Sequence, residues 1–258
     1  MFKFIRITFL LIVLLSVWST LQLQKNVTRD WQVPADVIII PVIADDSANT
    51  LNYVEQLSLR DFSGIERYAA QQIKRYRSDL NKPVQISLAP PIESHAPRIP
   101  ALGASRLSII IWSLRLRWWA WKNKPIGFRD SQIRLYVLYS SPNEHQRLPH
   151  STGLQNGLIG LIHARAYSAQ RRINNVILMH ELLHVLGASD KYDLVSGSPD
   201  YPEGFANPDQ QPVYPQELAE LMARVIPLSE NKVELARSLG RTRIGQRTAI
   251  EIGWLNEP

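Results

Sequence analysis

Two histidines four residues apart, with a glutamate directly after the first, stand in the run Val176-Ile177-Leu178-Met179-His180-Glu181-Leu182-Leu183-His184-Val185-Leu186-Gly187-Ala188-Ser189-Asp190. On a helix, positions i and i+4 share a face, so both imidazoles can reach one ion at about 2.0–2.1 Å. Glu181 falls about 100° round the helix, too far for a third ligand yet near enough to act as general base on an attacking water. Leu178, Leu182 and Val185 lie on the opposite side and form the ridge that seats the helix. A catalytic zinc site uses three protein ligands and keeps one position open. Gly187 permits the left-handed turn that ends a helix and redirects the chain, and three residues later Asp190 offers a carboxylate. HExxH alone arises by chance in a chain this long about once in a hundred at average residue frequencies. The glycine and the aspartate make the pattern rarer by about two further decades.

The extended pattern HExxHxxGxxD, with Tyr192 two residues on, resembles the metzincin metallopeptidases in the variant with Asp as third ligand, as in snapalysin-type peptidases. The likeness covers about fifteen residues and one further feature: Glu220-Leu221-Met222-Ala223 is placed to be the methionine turn beneath the metal, and Met222 is the only methionine after the helix. The resemblance implies Zn2+ as cofactor and a polypeptide substrate. It also implies an α/β fold, with a mixed twisted sheet, a zinc-binding helix and a loop-rich, helical C-terminal part. The strand before the helix, residues 157–166, is expected to border the cleft and to take extended substrate by strand addition. A second, Cys-rich metal site is excluded, because the chain has no cysteine. Arg224 stands where many metzincins carry a tyrosine two residues after the methionine; Tyr192, Tyr201 and Tyr214 are the stand-ins, and the choice stays open. Thermolysin-like enzymes take a third ligand from a glutamate about twenty residues on, a spacing Glu203 nearly meets. Ser196-Gly197-Ser198-Pro199 and Pro202 oppose a helix there, and that scheme leaves Gly187 without a role, so Asp190 is preferred.

Around this run stand 258 residues, 45% hydrophobic and 20% charged, with net charge +6. That is ordinary globular composition. The absence of cysteine removes disulfides, thiolate metal sites and cysteine nucleophiles, so any metal must use His, Asp, Glu or backbone oxygen. Positive charge favours anionic partners. It gathers most at Arg115, Arg117, Lys122 and Lys124, interleaved with Trp112, Trp118, Trp119 and Trp121. That reads as an amphipathic helix with a solvated or lipid-facing side rather than a nucleic-acid platform. Lys3 and Arg6 precede an apolar run from Ile7 to Trp18 that can extend to Leu23. Residues 1–25 therefore read as an uncleaved signal anchor or a cleaved signal peptide. The expected location is a single-pass membrane protein with its catalytic domain outside the cytoplasm, or a secreted one after cleavage.

Residues 26–35 read as a linker and 36–258 as one metallopeptidase domain, with the zinc helix at about 174–187 and a C-terminal subdomain at about 188–258. Expected strands lie at 37–43, 84–88, 133–139 and 157–166. Expected helices run from Ser63 to about Leu80, from Arg106 to Trp121, and from a cap at Asn174 or Asn175 to Leu186. An ordered loop is expected over 187–215, then short helices near 216–223, 230–238 and 246–254. His95, His145, His150 and His163 are expected outside the metal site, and the Asp190, Asp193, Asp200 spacing fits no EF-hand loop. The expected function is a zinc endopeptidase with His180, His184 and Asp190 as ligands, Glu181 as base and Met222 as structural floor. The rivals are a non-catalytic envelope binding module and a zinc amidase acting on cell-wall crosslinks.

Overall fold

The uninterrupted apolar run Val37-Ile38-Ile39-Ile40 has no polar side to show to water, so it is stable only as a strand covered on both faces. The computed structural model describes residues 31–101, 103–129, 132–141 and 148–257, with Arg6–Thr8 and Leu11 near the N-terminus, and places that run at the centre of a sheet. Strand β1 (Ala35–Ile43) pairs in parallel with β2 (Val84–Leu88) on one side and β4 (Ile133–Ser140) on the other. The two-residue β3 (Ile92–Glu93) also runs parallel to β1. Strand β6 (Ile159–Arg165) pairs in parallel with β4, and β5 (Thr152–Leu154) closes that edge antiparallel to β6, giving the order β2-β1-β4-β6-β5. The fold is thus mixed α/β with a mostly parallel central sheet.

Strand alternation sorts the core into two layers. Val37, Ile39, Leu135, Val137, Ile162 and Ala164 share one cluster with α2 (Ser63–Ile73) and α4 (Arg171–Leu186). Ile38, Ile40, Val42, Tyr136, Leu138 and Leu161 share the other with α3 (Arg106–Lys122). The Tyr136 hydroxyl donates to Ala120 O at 2.8 Å and ties α3 to the sheet. The short α1 (Ala48–Glu55) follows β1, its first turn capped by Ser47 Oγ accepting from Asn49 N.

Several expectations need correction. Among the described residues no helix is long and apolar enough to cross a membrane. The longest, α3, has 17 residues and carries Arg106, Arg115, Arg117 and Lys122, against the roughly 20 apolar residues a span requires. The single-pass anchor, and the membrane location built on it, are corrected accordingly; residues 1–25, on which that expectation falls, lie outside the described residues apart from Arg6–Thr8 and Leu11. Helix α4 starts at Arg171, so neither Asn174 nor Asn175 caps it. Asn174 instead brackets the end of β6, its Oδ1 accepting from Arg165 N and its Nδ2 donating to Arg165 O, while Asn175 Nδ2 donates to Asp61 O. Helix α2 stops at Ile73, short of Leu80.

Past the loop, 219–235 is not helical. It forms β7 (Ala219–Glu220) and the hairpin of β8 (Val225–Ser229) with β9 (Lys232–Leu235). Ile226 and Pro227 are buried side by side in β8 while Lys232–Leu235 of β9 are all exposed, so no period-two pattern marks the hairpin in the sequence. Strand β10 (Thr242–Arg243) pairs with β7, and α5 (Gln246–Glu251) ends the chain's regular structure.

Trp31 precedes β1, within the stretch expected to be a linker, and is 2% exposed. Its indole N–H donates to Ile252 O at 2.6 Å and its ring meets Trp254 edge-on at 5.7 Å. Trp31→Ala is expected to cost about 3 kcal/mol through the cavity and the orphaned carbonyl, read as a lower denaturant midpoint at unchanged m-value.

Candidate metal centre

The histidine helix is aimed by its two ends. At its start Asn174 fixes it to β6. At its finish Gly187 adopts φ 110°, with Gly187 N donating to His184 O and Ala188 N to Leu183 O, the hydrogen-bond pattern of a left-handed helix stop. Glycine at that position turns the chain back so that Asp190 comes beneath the two rings.

His180 Nε2 and His184 Nε2 lie 3.1 Å apart, and Asp190 Oδ1 lies 3.3 Å from the first and 3.2 Å from the second. Each ring's Nδ1 faces a main-chain carbonyl: Leu221 O at 3.1 Å for His180, Ala188 O at 2.8 Å for His184. A carbonyl oxygen only accepts, so both Nδ1 atoms carry hydrogen, and the neutral rings turn their Nε2 lone pairs toward the carboxylate oxygen. With the rings neutral, Asp190 Oδ1 is buried and accepts no hydrogen bond. Three electron-pair donors thus face one point. A proton at Nε2 or a metal cation at the centre relieves their repulsion, so protons and metal compete for the same atoms. Burial opposes charge on His184, but Asp190 and Glu181 outweigh it and raise the imidazole's basicity. Burial likewise raises the Asp190 carboxyl, but the two histidines outweigh it and hold the group well below the ordinary carboxylate range.

Glu181 is 5% exposed, and its Oε2 is buried without a hydrogen-bond partner. Burial raises its pKa, opposed by the charges of His180 and His184. Met222 is fully buried in the turn after β7, and its carbonyl accepts from Lys191 N at 3.2 Å. The neighbouring Leu221 carbonyl is the one that orients His180. Of the three tyrosines, Tyr192 stands by the site: the Arg224 guanidinium lies 4.6 Å from its ring centre, and its hydroxyl is pushed up by burial and by Asp190 and Glu181, against the pull of Arg224. Tyr201 and Tyr214 pack on Phe205 instead. Glu203 is exposed and faces Arg247 at 3.9 Å, away from the three donors. His95 and His150 are exposed, His163 lies half-buried in β6, and His145 is outside the described residues.

Residues 157–166 do not form the free edge expected of them. β5 covers the outer side of β6 through Thr152–Leu161, Gly153–Gly160 and Leu154–Ile159 pairs, so the exposed edge is β5. This strand presses on α4: a Cβ at Gly153 would sit 2.5 Å from Glu181 O and 2.7 Å from His184 Cβ.

Two carboxylates that sequence reasoning passed over hold the surroundings. Glu220, fully buried, accepts from Gly245 N, Thr248 Oγ1, Met222 N and Ala223 N, joining the methionine turn to α5; burial pushes its carboxyl up against those four bonds. Its adjacency to Met222 was the one available signal. Glu251 accepts from Ser189 N, Ser189 Oγ and the buried Lys191 ammonium at 2.7–3.0 Å, gripping the residues on either side of Asp190. No local pattern marks a partner sixty residues away.

Gly153→Ala is expected to cost about 1–3 kcal/mol by forcing β5 off the helix, measured as a lower denaturant midpoint. Burial raises the Glu251 carboxyl, but its bonds to Lys191 and Ser189 outweigh this and depress it. Its stabilisation is therefore present above the ordinary glutamate range and lost as pH falls through the folded-state value. Glu251→Gln should destabilise by about 2 kcal/mol at neutral pH, and the gap to wild type should close below about pH 4. Denaturant midpoints across pH test this.

No family model matches the chain, and a search of curated proteins gives no match.

Proposed function

We propose that this protein is a zinc-dependent endopeptidase of metzincin type. The observation that carries the reading is the convergence of His180 Nε2, His184 Nε2 and Asp190 Oδ1 at 3.1–3.3 Å, with the buried Glu181 Oε2 left without a hydrogen-bond partner. Tetrahedral ligands at about 2.0–2.1 Å from zinc lie about 3.3 Å from one another, so this donor set fits the ion. Two nitrogens and one carboxylate oxygen also form a catalytic-type set, because a fourth position stays open.

When bound, zinc would lower the pKa of an attacking water and polarise the scissile carbonyl. The residues of the chain supply the rest. Glu181 Oε2 is free to take the proton of that water as it attacks and to return it to the leaving amine. Burial sets the carboxyl above its ordinary value, nearer the working pH of a general base. The Leu221 and Ala188 carbonyls fix both imidazole tautomers, so the ligands need no reorientation. Tyr192 and Arg224 sit on the rim, where developing negative charge on the carbonyl oxygen would find a donor and a cation. The exposed edge of β5, rather than residues 157–166, is the strand to which an extended substrate would add. Met222 serves as the floor of the site in this reading.

Glu181→Ala should keep about one zinc per chain and lose hydrolysis by about 10²–10⁴-fold, the range for removing a general base. Asp190→Ala should weaken zinc binding and activity together, since two histidines leave the site incomplete. Glu203→Ala should change neither. Zinc stoichiometry measured beside turnover of an unfolded protein decides the matter. Zinc lost from Glu203→Ala but kept by Asp190→Ala would overturn the ligand set. Zinc bound by wild type without any hydrolysis would favour a binding module.

A further inference from the structure

Helix α3 carries two apolar faces, and the sheet uses only one. Trp112, Leu116, Trp119 and Ala120 are buried against the second core layer. On the opposite side Leu107, Ile110, Ile111, Leu114, Trp118 and Trp121 are each between 42% and 65% exposed. Their spacings of three, one, three, four and three residues place all six on one stripe of a helix about 25 Å long. Ile126, just past the helix end, is fully exposed. A stripe of this length exceeds the scattered apolar residues normal to a soluble surface.

The charges around the stripe are of one sign. By helical angle, Arg106 and Arg117 flank it on one side and Arg115 and Lys122 on the other, all four exposed. Lys122 Nζ lies 4.3 Å from the Trp118 ring centre, beside the stripe rather than away from it. From Ser94 to Arg129 the sequence contains seven arginines and lysines and no aspartate or glutamate. Arg129 pairs with Asp36, and among the described residues no carboxylate pairs with the other six.

We propose that the outer face of α3 docks the protein on an anionic lipid surface, lying along one leaflet without crossing it. A second copy of this chain is disfavoured as occupant, because it would set the same cations against each other. The chain's own residues 1–30 are disfavoured for the same reason, carrying Lys3, Arg6, Lys25 and Arg29 against Asp30 alone. A lipid surface meets both requirements: the stripe sinks into the headgroup–acyl boundary, and the flanking cations extend along it to the phosphates. Exposed tryptophans among cations suit that boundary, since their rings are apolar with one polar N–H. The proposal does not depend on the peptidase reading. It does, however, bring a lipid surface near the metal centre, because Arg117 and Ser113 of α3 line a cavity of about 310 Å³ together with Gly153, Gln155 and His184.

The test uses the full chain carrying Trp18→Phe, so that Trp118 and Trp121 are the exposed tryptophan reporters among the described residues; Trp31, Trp112, Trp119 and Trp254 are buried. Vesicles of brominated phosphatidylcholine with phosphatidylglycerol should remove up to about a third of its tryptophan emission at low salt, the share of Trp118 and Trp121 among six tryptophans, and salt near 1 M should reverse much of this. Adding Ile110→Asp and Leu114→Asp, both at exposed positions, should abolish the quenching while leaving the denaturant midpoint in place. Arg115→Gln with Lys122→Gln keeps the apolar stripe and should weaken only the salt-sensitive part. Equal quenching with and without the two aspartates would overturn the proposal. So would quenching by purely zwitterionic vesicles to the same extent, or none on anionic vesicles; the last result would point to an acidic protein partner instead.

Discussion

Three lone pairs directed at a single point are the constraint around which this molecule is arranged. Left to themselves, two imidazoles and a carboxylate separate, because neutral rings offer no proton to the oxygen and each acceptor repels the others. Here they are held within 3.1–3.3 Å by parts of the fold distant from one another in sequence. The helix supplies the pair of rings, the left-handed stop at Gly187 supplies the direction of the loop, and the turn at Met222 supplies the carbonyl behind His180. The sheet matters to the site mainly as the rigid body on which β5 and β6 hold the helix in place.

The carboxylates on and below the histidine helix perform different work. Glu220 accepts four hydrogen bonds and Glu251 three, and both are spent on joining α5 to the segments beneath the helix. Glu181 is buried like Glu220, yet its Oε2 has no donor. Burying a carboxylate without partners costs stability that the fold has to supply elsewhere. Structural carboxylates are recognised by their satisfied oxygens, and the candidate base by the one that is not.

The histidine pair, Glu181, the glycine stop and Asp190 were legible because a helix fixes their geometry within fifteen residues. The central strands were legible because a two-sided burial leaves an apolar run such as 37–40. The C-terminal segment was not. Residues 219–235 carry apolar residues at nine of seventeen positions but without a sustained period, and such a run can be written on a helix or a hairpin until the partner strand is known. Asn174 misled for a related reason: its side chain is a good helix cap, but tertiary structure spends it on the end of β6. Gly153 gave no local sign that His184 Cβ would lie against it. Its glycine is required by a neighbour thirty residues away, not by any turn of its own.

Both groups that lock the histidine tautomers are peptide carbonyls, Leu221 O and Ala188 O. In many metal sites this task falls to an acidic side chain that a single mutation can delete. Here no codon spells it. The identities of residues 188 and 221 can drift among apolar types while the tautomers of the two rings stay fixed, provided the backbone path survives. Evolution can therefore retune the rim of this centre freely, whereas the tautomers of its two imidazoles change only if the chain itself is rerouted.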